Sequence, residues 1–337
     1  MRIVVTGGAG FIGSNFVRWV LDSDPGTSVV TLDALTYAGN AENLAGLDPA
    51  RHRLVVGDVT RPDDVRGVLD SQVDAVVHFA AESHVDRSIS GAQAFASTNV
   101  VGTQVVLDAV RAAGVPRLLH VSTDEVYGSL APGDAPFTEE HPLHPTSPYA
   151  ASKAGADLLV LAAAATHGLD AVITRCGNNY GPYQFPEKLV PLFITNALDG
   201  EALPLYGDGR QVRDWIHVHD HCRALGVVLQ RGRAGRVYNV GAHAERDNLA
   251  LAQQLMALLD VGRDRLVHVT DRPAHDRRYA LDTRRIQDEL GFTPFIPLDE
   301  GLAATVAWYR EHRDWWERIK SGAYRAYYRA QYGERLS

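Results

Sequence analysis

The chain has 337 residues, 45% hydrophobic and 22% charged, an ordinary globular composition long enough for one large α/β domain with an appendage, or for two domains. Its formal net charge of −8 argues against a nucleic-acid partner, and its longest apolar stretch, 158–165, falls far short of the ~20 residues of a membrane span. Cys176 and Cys222 are too few for a disulfide framework or a zinc site, and Met1-Arg2 leads straight into a strand pattern, so the chain reads as soluble and cytoplasmic, without a signal peptide.

Apolar, β-branched runs at 2–6, 28–33, 52–58, 74–80, 117–123 and 170–175 alternate with helical patterns, most plainly at 11–21, 92–113 and 148–167. This alternation predicts a doubly wound parallel sheet, a Rossmann-type α/β fold that binds ligands at the C-terminal tips of its strands. Between the first strand and helix, Gly7-Gly8-Ala9-Gly10-Phe11-Ile12-Gly13 satisfies both G-x-G-x-x-G and a wider G-x-x-G-x-x-G spacing. Glycines there allow a tight turn, admit a pyrophosphate to the backbone and aim a helix N-terminus at it. Asp33 ends the second strand, where a carboxylate accepts hydrogen bonds from a ribose hydroxyl and repels a 2′-phosphate, favouring NAD over NADP. Asp58, at the next tip, is placed to meet the adenine edge. The plain alternative, a structural glycine turn, is disfavoured because strand, turn and helix are in register.

The fifth strand runs into residues 122–128, Ser-Thr-Asp-Glu-Val-Tyr-Gly, which set two adjacent acids, Asp124 and Glu125, at a strand tip. Ser147 is a good N-cap and Pro148 suits the first position of the following helix. That helix carries Tyr149 and Lys153 four residues apart, on one face. A phenol of pKa about 10 is a poor base unless a cation stabilises its anion; Lys153 can do so while binding the nicotinamide ribose. Ser122 or Thr123, on the facing tip, can hold a substrate hydroxyl. Solvated acids, and a surface Tyr and Lys, are the plainer readings. Their joint position at the tips of a dinucleotide fold favours chemistry.

After Gly181-Pro182 the alternation fades into helices at 187–199, 219–229, 248–259 and 298–319 with short strands between. The expected division is an NAD-binding Rossmann domain with the catalytic residues at 1–177, and a smaller α/β domain at 178–318. The second unit would mainly bind substrate, with some segments returning to the sheet. The tail at 319–337, rich in Tyr and Arg, reads as a helix or packing arm and receives no function. His217, His219 and His221 alternate as strand ligands would, but a strand-to-helix turn is expected there, so their role is read as structural and no metal is assigned. Of 33 basic residues only Lys153, Lys188 and Lys320 are lysines, which marks places where a compact, tunable ammonium is wanted.

The glycine turn, Tyr149-x-x-x-Lys153 and Asn178-Asn179-Tyr180-Gly181-Pro182 resemble the extended short-chain dehydrogenase/reductase superfamily. Within it, three segments closely resemble the dTDP-glucose 4,6-dehydratase family: residues 122–128, residues 80–88 (Ala-Ala-Glu-Ser-His-Val-Asp-Arg-Ser) and residues 203–209 (Leu-Pro-Leu-Tyr-Gly-Asp-Gly). The likeness runs from residue 1 to about 318. Related sugar-nucleotide epimerases carry the Tyr/Lys pair but generally lack the Asp-Glu pair, so Asp124-Glu125 is the specific signal.

The resemblance implies C4 oxidation, C5/C6 water elimination and C6 reduction of dTDP-D-glucose with bound NAD. Tyr149 would take the C4 hydroxyl proton, Glu125 the C5 proton, and Asp124 would protonate the leaving C6 hydroxyl, with Thr123 and Lys153 assisting. It assigns cofactor contacts to Gly7, Gly10, Phe11, Ile12, Gly13, Asp33, Asp58, Val59, Ala80, Ala81, Thr98, Tyr149, Lys153 and Asn179. Substrate contacts fall on Ser83, Thr123, Asn178, Lys188, Leu189, Pro204, Leu205, Tyr206, Arg213, Asn248, Arg272 and His275. Ala274 and Gly177 depart from the family pattern, which has glycine at the first and Ser or Cys at the second. A homodimer is implied too, through a four-helix bundle of the helices at 92–113 and 148–167. The alternatives are a UDP-glucose 4,6-dehydratase, a sugar-nucleotide 4-epimerase and a non-catalytic NAD-binding regulator. The epimerase leaves Asp124-Glu125 without work, and the regulator has no need of both Tyr149 and Lys153.

Overall fold

The computed structural model describes residues 1–273 and 275–333. The first half runs β1 (Arg2–Thr6), α1 (Phe11–Ser23), β2 (Ser28–Asp33), β3 (His52–Val56), α2 (Pro62–Arg66), β4 (Ala75–His78), α3 (Val85–Ser90), α4 (Ala92–Phe95), α5 (Gly102–Ala113), β5 (Arg117–Thr123), α6 (Pro148–His167) and β6 (Ala171–Cys176). The second half continues with β7 (Asn178–Tyr180), α7 (Leu189–Asp199), β8 (Leu203–Tyr206), β9 (Val212–His217), α8 (Val218–Arg231), β10 (Val237–Val240), β11 (Glu245–Asp247), α9 (Asn248–Leu259) and β12 (Leu266–Val269). It ends with α10 (Arg284–Leu290), α11 (Leu298–Glu311), α12 (Arg313–Ile319) and α13 (Ala323–Tyr332).

Seven parallel strands form the main sheet in the order β3-β2-β1-β4-β5-β6-β10. The order reverses between β1 and β4, which opens a crevice at the strand tips there. One face is covered by α1 and α8, with Phe16, Val17, Cys222 and Leu225 fully buried against Ile3, Val5 and Leu119. The other face carries α2, α5 and α6, packed through Val65, Val106, Val110 and Val160 onto Val4, Val76 and Leu118. The inner strands are thus buried on both sides, which is why they read as continuous apolar runs, while β3 at the sheet edge stays partly exposed.

The second half divides its allegiance. β10, α8 and α10 complete the main sheet, while α7, α9, α11 and α12 enclose a separate core around Phe193, Leu255, Tyr309 and Trp316. Two small sheets, β11-β9-β7 and parallel β12-β8, line the boundary. Among the described residues no helix is long and apolar enough to cross a membrane.

Two predicted helices differ in form. The segment expected as one helix over 92–113 widens into a π-type stretch at Ala96–Val101. Within it Asn99 turns inward, exchanging hydrogen bonds with the backbone of Glu82 (2.8 and 3.0 Å) and donating to Ser152 Oγ at 2.8 Å. The widened turn thereby clamps the loop after β4. The helix expected over 298–319 breaks at His312, whose ring stacks on Trp308 at 4.3 Å and bonds its carbonyl at 2.9 Å.

Asp220, in the first turn of α8 and fully buried, ties that helix to the loop between α10 and α11. Its Oδ2 accepts from the N–H groups of Phe295 (3.0 Å) and Ile296 (2.8 Å), and its Oδ1 from Arg223 at 2.7 Å. Asp220→Ala should strip partners from two backbone donors and lower stability by about 2–4 kcal/mol. A thermal melt within a degree of wild type would show that the loop does not depend on this carboxylate.

Candidate active site

The dinucleotide end of the cleft is built to backbone contact. Gly7 sits at φ +70°, and a side chain there would lie 2.6 Å from Ala80 N; one on Gly13 would lie 2.3 Å from the Gly7 carbonyl oxygen. Only glycine lets the β1 tip, the β4 tip and α1 close together. Gly10 starts α1, and no side chain caps it, so its first N–H groups keep no side-chain partner. The Asp33 carboxylate accepts from Ala9 N (2.9 Å) and Leu35 N (2.8 Å), so it shapes the turn as well as ending β2. Burial raises its pKa. Asp58 folds onto its own turn, accepting from the Thr60 N–H and hydroxyl, both at 2.8 Å.

These groups open into one cavity of about 440 Å³, and every residue that the sequence nominated lines it. Phe11, Ile12, Val59, Ala80, Ala81 and Thr98 surround the dinucleotide end, while Ser83, Asn178, Asn179, Lys188, Leu189, Pro204, Leu205, Tyr206, Arg213, Asn248, Arg272 and His275 form the other. The glycine cradle, which a Cβ would fill, and the acid at the end of β2 fit NAD.

Thr123, Asp124, Glu125, Tyr149 and Lys153 meet between the two ends. Thr123 caps a single helical turn, Asp124–Tyr127, accepting from Glu125 N and donating to Asp124 Oδ1, both at 3.3 Å. That turn points the two adjacent acids into different surroundings. Asp124 is 2% exposed, its Oδ2 has no partner, and burial together with the Glu125 charge pushes its pKa well above the carboxylate range. Burial raises Glu125 too, but Arg272, Lys188 and Arg213 pull it back. Asp124 is therefore the stored acid and Glu125 the more readily ionised partner.

Tyr149 is buried, and burial followed by Glu125 keeps its phenol well above the usual range. Burial and Glu125 thus favour the protonated phenol, and a cation beside it favours the phenolate. Lys153, on the same helix face, is fixed by donating from Nζ to the Val121 carbonyl at 2.8 Å. Burial lowers its pKa to about 8, opposed by Asp157.

On the substrate side, Arg213 is buried, donates to the Asp276 carbonyl at 2.9 Å and stacks 4.2 Å over the Tyr279 ring. Lys188 reaches the Ser83 carbonyl at 3.1 Å. Arg272 donates to Asp86 at 3.3 Å, and His275 bonds Asp271 at 2.5 Å. Ala274 lies outside the described residues. At Gly177 a Cβ would stand 2.8 Å from the Asp214 carbonyl oxygen, so a side chain needs the β9 strand to give way.

Asp86, Glu187, Tyr279 and Tyr332 also line the cavity and were not nominated. Asp86 gathers Arg272, Tyr206 (3.0 Å) and Gln331 (3.1 Å) around one carboxylate. Burial raises Glu187 to about 7 despite Lys188 and Arg87. Tyr332 brings α13 against Tyr206, ring centroids 6.0 Å apart. The tail left without a function is therefore part of the cavity wall. Asp86 sits inside the quoted 80–88 segment, a usable signal; Tyr332 has none, since only tertiary packing brings it here. The three histidines part company: His217 caps α8, His219 is exposed, and His221 bonds Asn179 Oδ1 at 2.9 Å.

A family profile described as GDP-mannose 4,6 dehydratase matches residues 4–305. The chain is 54% identical over 326 residues to a dTDP-glucose 4,6-dehydratase of Streptomyces niveus, covering 95% of this chain and 96% of the relative. One from Mycobacterium tuberculosis is 50% identical over 337 residues, 99% of either chain. Among solved structures, the dTDP-glucose 4,6-dehydratase DesIV of Streptomyces venezuelae, with NAD and TYD bound, matches at TM-score 0.92 and 54% identity over 95% of this chain and 100% of that one. A UDP-glucose 4-epimerase of Thermotoga maritima, with UDP-glucose, matches at TM-score 0.85 and 29% identity, over 92% and 99% of the two chains.

Gly13→Ala tests the cradle. Its Cβ would meet the Gly7 carbonyl oxygen at 2.3 Å, and relieving that overlap should weaken NAD binding by about ten- to a hundredfold. Isothermal titration of cofactor-stripped protein measures it; unchanged affinity would show that NAD does not use this turn.

Proposed function

The chain belongs to the sugar-nucleotide 4,6-dehydratase branch of the extended short-chain dehydrogenase/reductases, and from that premise we propose that it converts dTDP-D-glucose to dTDP-4-keto-6-deoxy-D-glucose. It is an NAD-dependent hydro-lyase. The observation that carries the reading is the split between Asp124, buried and orphaned, and Glu125, whose rise on burial is opposed by Arg272, Lys188 and Arg213.

In this reading residues 1–177 hold NAD through the glycine turn, Asp33, Asp58, Val59, Ala80, Ala81, Thr98, Tyr149 and Lys153, with Asn179 just beyond them. Residues 178–318 mainly hold the nucleotide: Pro204, Leu205, Tyr206 and Asn248 take the base end, and Lys188, Arg213, Arg272 and His275 the diphosphate. Two guanidiniums suit a diphosphate as bidentate partners. When bound, NAD accepts hydride from C4 of the hexose and returns it to C6, so the net change is loss of water. Tyr149 takes the C4 hydroxyl proton, with Thr123 positioning that hydroxyl and Lys153 supplying the cation that favours the phenolate. The C4 ketone acidifies C5. Glu125 removes the C5 proton while Asp124 gives its proton to the departing C6 hydroxyl, which leaves as water. A proton then returns to C5.

Thymidine rather than uridine nucleotide is the substrate, in line with the names of relatives at 50–54% identity. Incubation with dTDP-glucose and UDP-glucose in separate tubes tests this; a 4-keto-6-deoxy product by NMR only from UDP-glucose would overturn it. Glu125→Gln should slow dehydration of dTDP-glucose by about 10²–10⁴ while still reducing the cofactor in a single turnover, because the C4 step is untouched. Tyr149→Phe should give no such absorbance burst. A Glu125→Gln enzyme that dehydrates at the wild-type rate removes Glu125 from the mechanism.

Two copies are also proposed to pair through α5, α6 and the turns beside them. Ile89 (44%), Val101 (53%) and Leu158 (58%) are exposed apolar side chains on α3, the π-type stretch and α6, which favours cover by a second chain. Light scattering at micromolar concentration should give the mass of a dimer, and a monomer there would refute the pairing. Such an enzyme works in the cytoplasm.

A further inference from the structure

Beneath the Tyr149/Lys153 pair lies a charged layer that the reaction has not used. Tyr149, Lys153 and Asp157 follow one another at four-residue intervals along α6, on its buried face. Asp157 is wholly buried; its Oδ2 accepts from Arg175 Nε at 2.8 Å, and its Oδ1 lies 3.5 Å from His120 Nε2. Arg175 in turn sits 4.7 Å over the Tyr127 ring. His78 lies beside His120, ring centroids 5.3 Å apart.

The protonation states can be worked out from partners. Thr103 gives its hydroxyl proton to the Asn99 carbonyl (2.6 Å), so it must accept from His78 Nε2 (3.0 Å). His78 Nδ1 then accepts from the Thr6 hydroxyl at 2.6 Å, and the ring is neutral. Burial, and then Lys153, hold His120 down at about 4, and burial pushes the Cys176 thiol up to about 12. Asp124 is protonated by the argument above, and the Tyr127 phenol is raised by burial to about 12. With Cys176 a neutral thiol, the charge that acts to hold the Lys153 ammonium is that of Asp157. Burial alone would raise Asp157, yet His120 and Arg175 bring it below the usual carboxylate value, so it stays ionised.

We propose that Asp157, aligned by Arg175 and His120, is a positioning residue: the buried counter-charge that keeps the Lys153 ammonium in place to support the Tyr149 phenolate. Without it Lys153 would keep its burial and lose the opposite charge that offsets it, which favours loss of the lysine proton. The role in turnover rests on the dehydratase reading; the effect on Lys153 does not.

With only three lysines in the chain, protein labelled with ¹³C at lysine Cε gives three titrating signals, and Lys153→Met identifies one of them. Asp157→Asn should lower the Lys153 midpoint by about one pH unit or more, a tenfold loss of ammonium above it. Arg175→Gln removes the partner that aligns Asp157 and holds it ionised, so it should lower the midpoint too, by less. Asp157→Glu should keep it near the wild-type value. The alkaline limb of kcat/KM for dTDP-glucose should move with the midpoint in each variant. A merely structural role would lower the melting temperature without moving the midpoint. Unmoved midpoints in the folded variants overturn the proposal, and Arg175→Gln supplies the answer if Asp157→Asn fails to fold. A wild-type protein that makes no keto sugar refutes the dehydratase reading, while the titration still decides the place of Asp157.

Discussion

A carboxylate taken out of water must either gain cations and donors or take up a proton, and the interior around α6 contains one of each. Asp157 has Arg175 and His120; Asp124 has an unpartnered oxygen and the negative Glu125 next to it. The first is a fixed charge and the second a stored proton. Between them in the chemistry stands Lys153, whose pKa is lowered by burial to about 8, a shift that Asp157 opposes. The proposed chemistry depends on this division, because Asp124 and Tyr149 are withdrawn from solvent and the charges packed beside them set their protonation.

The scaffold explains why the division holds. β4, β5 and β6 place His78, His120 and Arg175 on the face covered by α6, while the tips of the same strands carry Ala80 and Thr123 into the cleft. One strand residue thus serves the reaction and a neighbour two or three positions back sets its electrostatics. Asn99 does the same for the β4 loop, gripping Glu82 and Ser152 from a widened helical turn. On the opposite wall Asp86 joins Arg272, Tyr206 and Gln331, so three separate chain segments share one anchor.

Much of this was legible in the sequence, for a reason that differs between its parts. The inner strands β1, β2, β4, β5 and β6 declare themselves because burial on both faces demands apolar runs, and their tips follow at once. The glycine turn is local, and steric necessity fixes its residue types. Asp124-Glu125 stands out because two adjacent acids at the end of a buried strand have no structural use. What escaped is what depends on distant partners. β10 looks like any short strand until β6 pairs with it. The break at His312 needs Trp308, and the widened turn at Ala96–Val101 needs the loop it clamps. Tyr332 belongs to a tail whose composition is mostly Tyr and Arg; only its packing on Tyr206 makes it part of the wall.

The Asp86 anchor sets an order of assembly. Synthesis is directional and domains form as their residues emerge. Strands β1 to β6, the glycine turn and Asp124 are all made before Arg272, and Arg272 before Gln331 and Tyr332. The main sheet in turn needs α8 and β10, which are made after β6, before it is complete. The anchor is finished only by the last-made part of the chain, so the wall at Asp86 cannot close before Gln331 and Tyr332 are in place.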